Sequence, residues 1–290
     1  MTKVLVTGGS GFIGKVLTSQ LRSKGYTCLS CGRELSLSDM DSLIAVVKNF
    51  SPTHVIHLAG IANPVYLNRE ELYIVNTIGT ENLLEAISLG APKSRVILAS
   101  TAGVYGNQSY DRIPETASLH PINHYSMSKA CMELMSENFS KKLDISIVRI
   151  FNAIGELQSE KFIVPKLIDA FVRKVPEIKM GNLYPKRDFV DVDFVAESIL
   201  EIALENKESL VLNICSGIGT SCQNIIDMLS CITKYSPKVL VDSNFVRQNE
   251  IYSLIGDPSK LFSKVSCRPQ KVEKILTLMV DKYARRVRRG

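Results

Sequence analysis

Through its first half the chain alternates short, largely apolar runs with longer stretches in which apolar residues return every three or four positions. The short runs are Lys3–Thr7 (KVLVT), Thr27–Cys31, His54–Leu58 (HVIHL), Arg95–Ala99 (RVILA) and Ile145–Ile150 (ISIVRI). They are continuous and rich in β-branched residues, so they read as strands buried on both faces, the mark of a parallel sheet covered by helices. The stretches between them read as those helices: Phe12–Lys24 closed by Gly25, Met40–Phe50, Leu72–Leu89 and Tyr125–Lys142. Strand and helix in turn predict a doubly wound α/β sheet.

After Phe151 the rhythm breaks. Helical stretches at Phe162–Lys174, Val192–Glu205 and Ser221–Thr233 are separated by short polar pieces bearing Gly or Pro. We read 1–150 as one domain and 151–290 as a smaller, mostly helical domain for a substrate. A segment near 186–215 is expected to return to the sheet. No repeat or low-complexity segment interrupts either part.

Composition alters this little. A chain of 290 residues buries roughly three quarters of its unfolded surface, enough to fold without staples. The net charge is +6, and part of the excess is the tail Arg285-Arg286-Val287-Arg288-Arg289, which reads as a solvated terminus. No aromatic residues interleave with the basic ones, so no nucleic-acid partner is expected. Seven Cys, an odd number, read as buried reduced thiols rather than disulfides or metal ligands. The opening MTKVLVTGG lacks a secretory hydrophobic region and no apolar run is long enough for a membrane span, so the expectation is a cytoplasmic protein.

The first strand runs into Thr7–Gly14 (TGGSGFIG), with Gly8, Gly11 and Gly14 three apart between a strand and a helix. Gly8 permits the turn, Gly11 lets backbone approach a pyrophosphate, and Gly14 lets helix pack on strand; Phe12 and Ile13 complete the helix start that faces the phosphates. This is a dinucleotide site of Rossmann type. The second strand ends Ser30-Cys31-Gly32-Arg33-Glu34. Arg33 stands where a charged fork meets an adenosine 2′-phosphate, although Glu34 beside it could hold a ribose. NADP(H) is therefore favoured over NAD(H).

Tyr125-Ser126-Met127-Ser128-Lys129 places a phenol and an ammonium one helical turn apart. A phenol of pKa about 10 is a poor acid–base group at neutral pH, and a neighbouring lysine is expected to bring it down. Thr101, just past the strand Arg95–Ala99, lies at the sheet edge where ligands bind and can share the same substrate oxygen.

TGGSGFIG, HLAG (His57–Gly60), ASTAGVYG (Ala99–Gly106), YSMSK, RIFNAIG (Arg149–Gly155) and RDFVDVDFVA (Arg187–Ala196) occur in one order. In that order they resemble the extended short-chain dehydrogenase/reductase family, the NAD(P)-dependent sugar-nucleotide epimerases, dehydratases and reductases. The resemblance implies that Leu58, Ala59 and Gly60 line the cofactor and that Thr101, Tyr125 and Lys129 are catalytic. It further implies that Asn152 faces the substrate and Arg187 its diphosphate. Ser36-Leu37 stands where an Asp–hydrophobe pair often grips adenine. Two helices, with apolar residues such as Leu83, Leu84, Met132 and Met135, resemble those that pair into a four-helix homodimer interface, though the same residues also suit an ordinary core.

The family's dehydratases carry an acidic residue after the catalytic Thr, where this chain has Ala102 and Gly103, so dehydration is disfavoured. Ile178–Leu183 running into Arg187-Asp188-Phe189, and Arg247-x-x-Glu250 before Leu254–Lys260, are similar to the GDP-mannose dehydratase and GDP-4-keto-6-deoxymannose reductase branch. There Arg247 would contact the diphosphate and Glu250 the ribose hydroxyls. The expected activity is NAD(P)H-dependent reduction of a GDP- or dTDP-linked 4-keto-6-deoxyhexose, making a deoxysugar donor for surface polysaccharide. The alternatives are a 4-epimerase with tightly bound NAD, which turns over without added reductant, and a non-catalytic NADPH-binding regulator, which has no need of an acid–base set.

Overall fold

In the first strand Val4 and Val6 point into one apolar core and Leu5 into another, the alternation of a strand covered on both faces. The computed structural model describes the chain except residues 64, 207, 247–249 and 288–290. It opens as β1 (Lys3–Thr7), α1 (Phe12–Ser23), β2 (Thr27–Cys31), α2 (Met40–Phe50) and β3 (His54–His57). A long helix follows as α3 (Arg69–Tyr73), a π-helical turn (Ile74–Ile78) and α4 (Gly79–Gly90), then β4 (Arg95–Thr101), α5 (His124–Ser136) and β5 (Asp144–Ile150). The remainder is β6 (Asn152–Ile154), α6 (Ile163–Val172), β7 (Glu177–Met180), β8 (Lys186–Asp191), α7 (Val192–Leu204) and β9 (Val211–Ile214). It ends with β10 (Gly219–Ser221), α8 (Cys222–Thr233), β11 (Lys238–Val241), β12 (Ser253–Leu254), α9 (Ser259–Phe262) and α10 (Val272–Val287).

The main sheet is parallel, in the order β2-β1-β3-β4-β5-β9. Helices α1 and α7 pack together on one face, and α2 with α4 on the other. The chain steps from β1 to β2 on one side and to β3 on the other. The crevice at this topological switch therefore opens between the carboxyl ends of β1 and β3.

The smaller part holds a core of α6, α8 and α10 with Ile178, Met180 and Phe189. It is less helical than its pattern suggests. β8 pairs with β6, β10 and β12 in one small sheet, and β7 pairs with β11 in another. Of the segment near 186–215, α7 and β9 join the main sheet layer, whereas β8 stays in the small one.

The structure corrects several expectations. Thr101 is the last residue of β4 rather than a residue beyond it, and α5 ends at Ser136 in a 3₁₀ turn. The basic tail is no loose terminus through Val287: Arg285 and Arg286 close α10, whose Ile275, Leu276, Met279 and Val280 seal the second core. Arg288 and Arg289 lie outside the described residues. All seven Cys are free thiols, but only Cys31 and Cys215 are buried and Cys231 is exposed. Leu83, Leu84 and Met132 are wholly buried core and offer no surface for a partner, whereas Met135 packs against that core and is only partly buried. Among the described residues no helix is long and apolar enough to cross a membrane.

Candidate active site

At the end of β1 the chain turns at Gly8 with φ +72°, a conformation that favours glycine, and a Cβ there would sit 2.5 Å from the Ala59 nitrogen. At Gly14 a Cβ would lie 2.2 Å from the Gly8 carbonyl oxygen. Turn, helix start and the end of β3 are thus in backbone contact. Helix α1 begins at Gly11 without a side-chain cap or an acidic residue in its first turn, which leaves N–H groups and a positive dipole end for an anion. Ile13 packs into the sheet core and Phe12 reaches toward Gly155, so these two serve this turn through backbone rather than side chains.

The crevice continues as a cleft of about 1470 Å³, lined by Gly8, Gly11, Arg33, Ser36, Leu37, Leu58, Ala59 and Gly60 at one end. Asn152, Arg187, Phe245 and Glu250 line the other. Arg33 is exposed, while Leu37 is largely buried against Gly79. Glu34 folds back to accept the Gly32 N–H, a contact that holds its carboxyl below the usual range. Arg187 stands 4.0 Å from Glu250, and Asn152 donates to the Asp188 carbonyl at 3.2 Å. Arg247 lies outside the described residues.

Helix α5 is started by Asn123, whose side chain accepts the Ser126 N–H at 2.9 Å, and this fixes where Tyr125 and Lys129 emerge. Tyr125 is half-buried and hydrogen-bonds Thr101; Lys129 is buried and donates to the Ala99 carbonyl at 2.9 Å. None of the three lines the cleft itself. Lys129 lies beneath its floor, where a Cβ on Gly60 would come within 3.3 Å of its nitrogen. Burial pulls the Lys129 ammonium down to about 8, opposed by the charge of Glu133. Burial pushes the Tyr125 phenol above its ordinary value, and the Thr101 hydrogen bond offsets this only in part. The expected lowering of the phenol is not what the structure shows, because its burial outweighs the contact that favours the phenolate. Gly103 has no room for a side chain, since a Cβ there would meet Ser126 Oγ at 2.3 Å.

Two polar residues that the sequence pattern did not single out hold this floor in place. Asn76, fully buried on the π turn, grips Ile61 through both its N–H and C=O and donates to Ser128 on α5. His57 is buried between two threonines. Thr80 gives its own proton to the Asn76 carbonyl, so His57 Nε2–H donates to Thr80 at 2.9 Å and Nδ1 accepts from Thr7 at 2.6 Å. Burial, aided by Lys129, holds its pKa down to about 3. Both were visible only as polar residues inside apolar runs.

A switch-point crevice over a glycine turn, with a phenol and an ammonium one helical turn apart beneath it, defines a dinucleotide-dependent α/β enzyme. The chain belongs to the NAD dependent epimerase/dehydratase family, whose model matches residues 4–215. It is 40% identical over 265 residues to GDP-6-deoxy-D-talose 4-dehydrogenase of Aggregatibacter actinomycetemcomitans, covering 90% of each chain. It is 25% identical to GDP-6-deoxy-D-mannose reductase of Pseudomonas aeruginosa, over 99% of this chain and 98% of that one. The structure superposes with a TM-score of 0.91 on UDP-glucose 4-epimerase of Thermotoga maritima bound to UDP-glucose, at 27% identity and 99% and 100% coverage.

Proposed function

We propose that this protein is an NADPH-dependent reductase that delivers hydride to C4 of a GDP-linked 4-keto-6-deoxyhexose. The observation that carries the reading is the Thr101–Tyr125 hydrogen bond with Lys129 beneath Gly60, at the floor of a cleft that also meets the glycine turn. The cleft exceeds the roughly 300–1,000 Å³ of a single-ligand site, which suits a cofactor and a nucleotide sugar end to end. The relatives that act on GDP-6-deoxyhexoses favour that substrate over a pyrimidine nucleotide sugar.

The residues fit a nicotinamide dinucleotide: only glycine at 8 and 14 lets the turn pack this closely on the end of β3 and the helix start, and the uncapped start of α1 suits a pyrophosphate. When bound, that cofactor supplies the hydride. Tyr125, kept protonated at neutral pH by its burial, donates its proton to the ketone oxygen. Thr101 donates to the phenolate so formed, and the Lys129 ammonium balances its charge. Asn152 and the Arg187–Glu250 pair orient sugar and diphosphate at the far end. Because the ammonium titrates near 8, reduction slows as pH rises through that value.

Purified protein is expected to oxidise NADPH on GDP-4-keto-6-deoxymannose, with Tyr125→Phe about 10²- to 10⁴-fold slower and unimpaired in NADPH binding. No cofactor consumption on either GDP- or dTDP-4-keto-6-deoxyhexoses would overturn the assignment. We also infer a homodimer through the face of the π turn and α5, where Ile78 and Leu134 are 49% and 60% exposed beside Ile74 and Met127. Light scattering is expected to give twice the chain mass, and Leu134→Arg about the chain mass itself.

A further inference from the structure

Behind Lys129 lies a fully buried ion pair with no part in the scheme above. Glu133, one turn further along α5 and 4% exposed, is held by Arg149 of β5 through Nε at 3.0 Å and Nη2 at 2.7 Å. Ser100, the neighbour of Thr101 at the end of β4, donates to the same carboxylate. Arg149 is fixed in turn: its Nη1 donates to the Tyr105 hydroxyl at 2.9 Å, and Tyr105 donates to Asn213 at 2.6 Å. Buried pairs of this kind are seldom better for stability than apolar residues of the same shape, so their location needs another reason. Here one carboxylate touches the strand end that carries Thr101 and stands one helical turn behind the ammonium.

We propose that Glu133 is a positioning residue for the hydride-transfer group: it fastens the Thr101 strand end to the Tyr125–Lys129 helix and keeps the buried ammonium charged, with Arg149 holding the carboxylate in place. The inference rests on the assignment of Thr101, Tyr125 and Lys129 to the reaction. The groups facing Lys129 are few. From α5 they are Met132 Sδ at 3.9 Å and Glu133; from β4, the Ala99 carbonyl; from β3, His57, which is neutral. Gly60 closes the side toward the cleft. Among these, Glu133 supplies the negative charge.

The test compares the whole enzyme with Glu133→Gln, which keeps the shape and removes the charge. The Lys129 Nζ resonance in lysine-labelled protein, assigned against Lys129→Met and followed by NMR across pH, gives its midpoint without any turnover. A substrate assignment that failed would thus leave this arm readable. The midpoint is expected near 8 in the native protein and about one unit lower in Glu133→Gln, the scale on which a nearby charge acts. Reductase activity is then expected to fall about fivefold at pH 8 and hardly at all at pH 6. A purely structural role would instead lower activity equally at both pH values. If Glu133→Gln does not fold, Glu133→Gln with Arg149→Met removes both charges, and its midpoint is expected below that of the native protein by a smaller step. An unmoved midpoint in whichever variant folds, or a pH-independent loss of activity, overturns the proposal.

Discussion

The two cores are made by contacts of different range. In the sheet-bearing half, the first five strands all pair among themselves within the first 150 residues, and only β9 and α7 return from later in the chain to complete one edge and one face. Each is covered on both faces, and its own composition states its place. In the smaller part, the four-residue strand β7 finds its partner β11 only after α7, β9 and α8 have intervened, and β8 collects β6, β10 and β12 from both directions. The dinucleotide end is therefore specified locally and built tightly. The far end of the cleft is assembled from pieces whose identity can change without disturbing the sheet.

Buried titrating groups in the two regions respond to pH with opposite sign, and this offers the largest test of the contrast. His57 titrates near 3 in the folded protein against 6.5 when unfolded. The unfolded chain takes up a proton first, so stability is lost as pH falls below about 6.5, by about 2 kcal/mol at pH 5 and about 5 kcal/mol in full. Asp188 of β8 is raised by burial despite accepting from Ser216, Gly217 and Gly256, so its contribution is largest in acid and is lost as pH rises. Urea midpoints measured from pH 7 to 5 are expected to fall in the native protein and to flatten in His57→Gln. An equally steep fall in that variant would remove His57 as the cause.

The second test sets one glycine against another. Alanine at Gly14 meets the backbone carbonyl of Gly8 at 2.2 Å, and neither partner can yield without moving the turn. The expected result is loss of dinucleotide binding and a destabilisation of about 3 kcal/mol, at the upper end of overpacking costs. Alanine at Gly219 in the small sheet meets the end of the Ile255 side chain at 2.3 Å, which a rotamer change relieves. About 1 kcal/mol is expected there, with cofactor binding intact. Calorimetry and NADPH fluorescence titration on both variants would show the contrast, and equal losses would refute it.

The same difference in range decides what could be read beforehand. Gly8, Gly11 and Gly14, the Tyr125–Lys129 spacing and the strands β1 to β5 are local statements, and each was legible. Asn76 was not, because its grip on Ile61 needs a π turn that leaves no trace in apolar periodicity. Glu133 and Arg149 were separate residues on a helix and a strand until β5 was placed beside α5. Helix α10 had its signal in Ile275, Leu276, Met279 and Val280, but so narrow a stripe makes sense only against α6 and α8. The arginines in its last turn read as charge rather than as the end of a helix.

The smallest expected effect concerns Arg33, at the open edge of the cleft. Arg33 is exposed and lines the cleft just past the end of β2, and Glu34 beside it accepts the Gly32 N–H. A second recess of about 410 Å³ behind the glycine turn shares Ser10 and Gly32 with the cleft and carries Lys15 and Arg22. A 2′-phosphate there would meet these two cations and also the Glu34 carboxylate, which lines the same recess. Arg33→Ala is therefore expected to lower the preference for NADPH over NADH only about tenfold, the worth of one charge-assisted contact near the surface. Lys15→Met added to it is expected to take the remainder. The ratio of kcat/KM with the two reduced cofactors reads both steps. A ratio untouched by Arg33→Ala would show that cofactor choice is made in the recess, by residues on α1, and not at the strand end where the sequence first points.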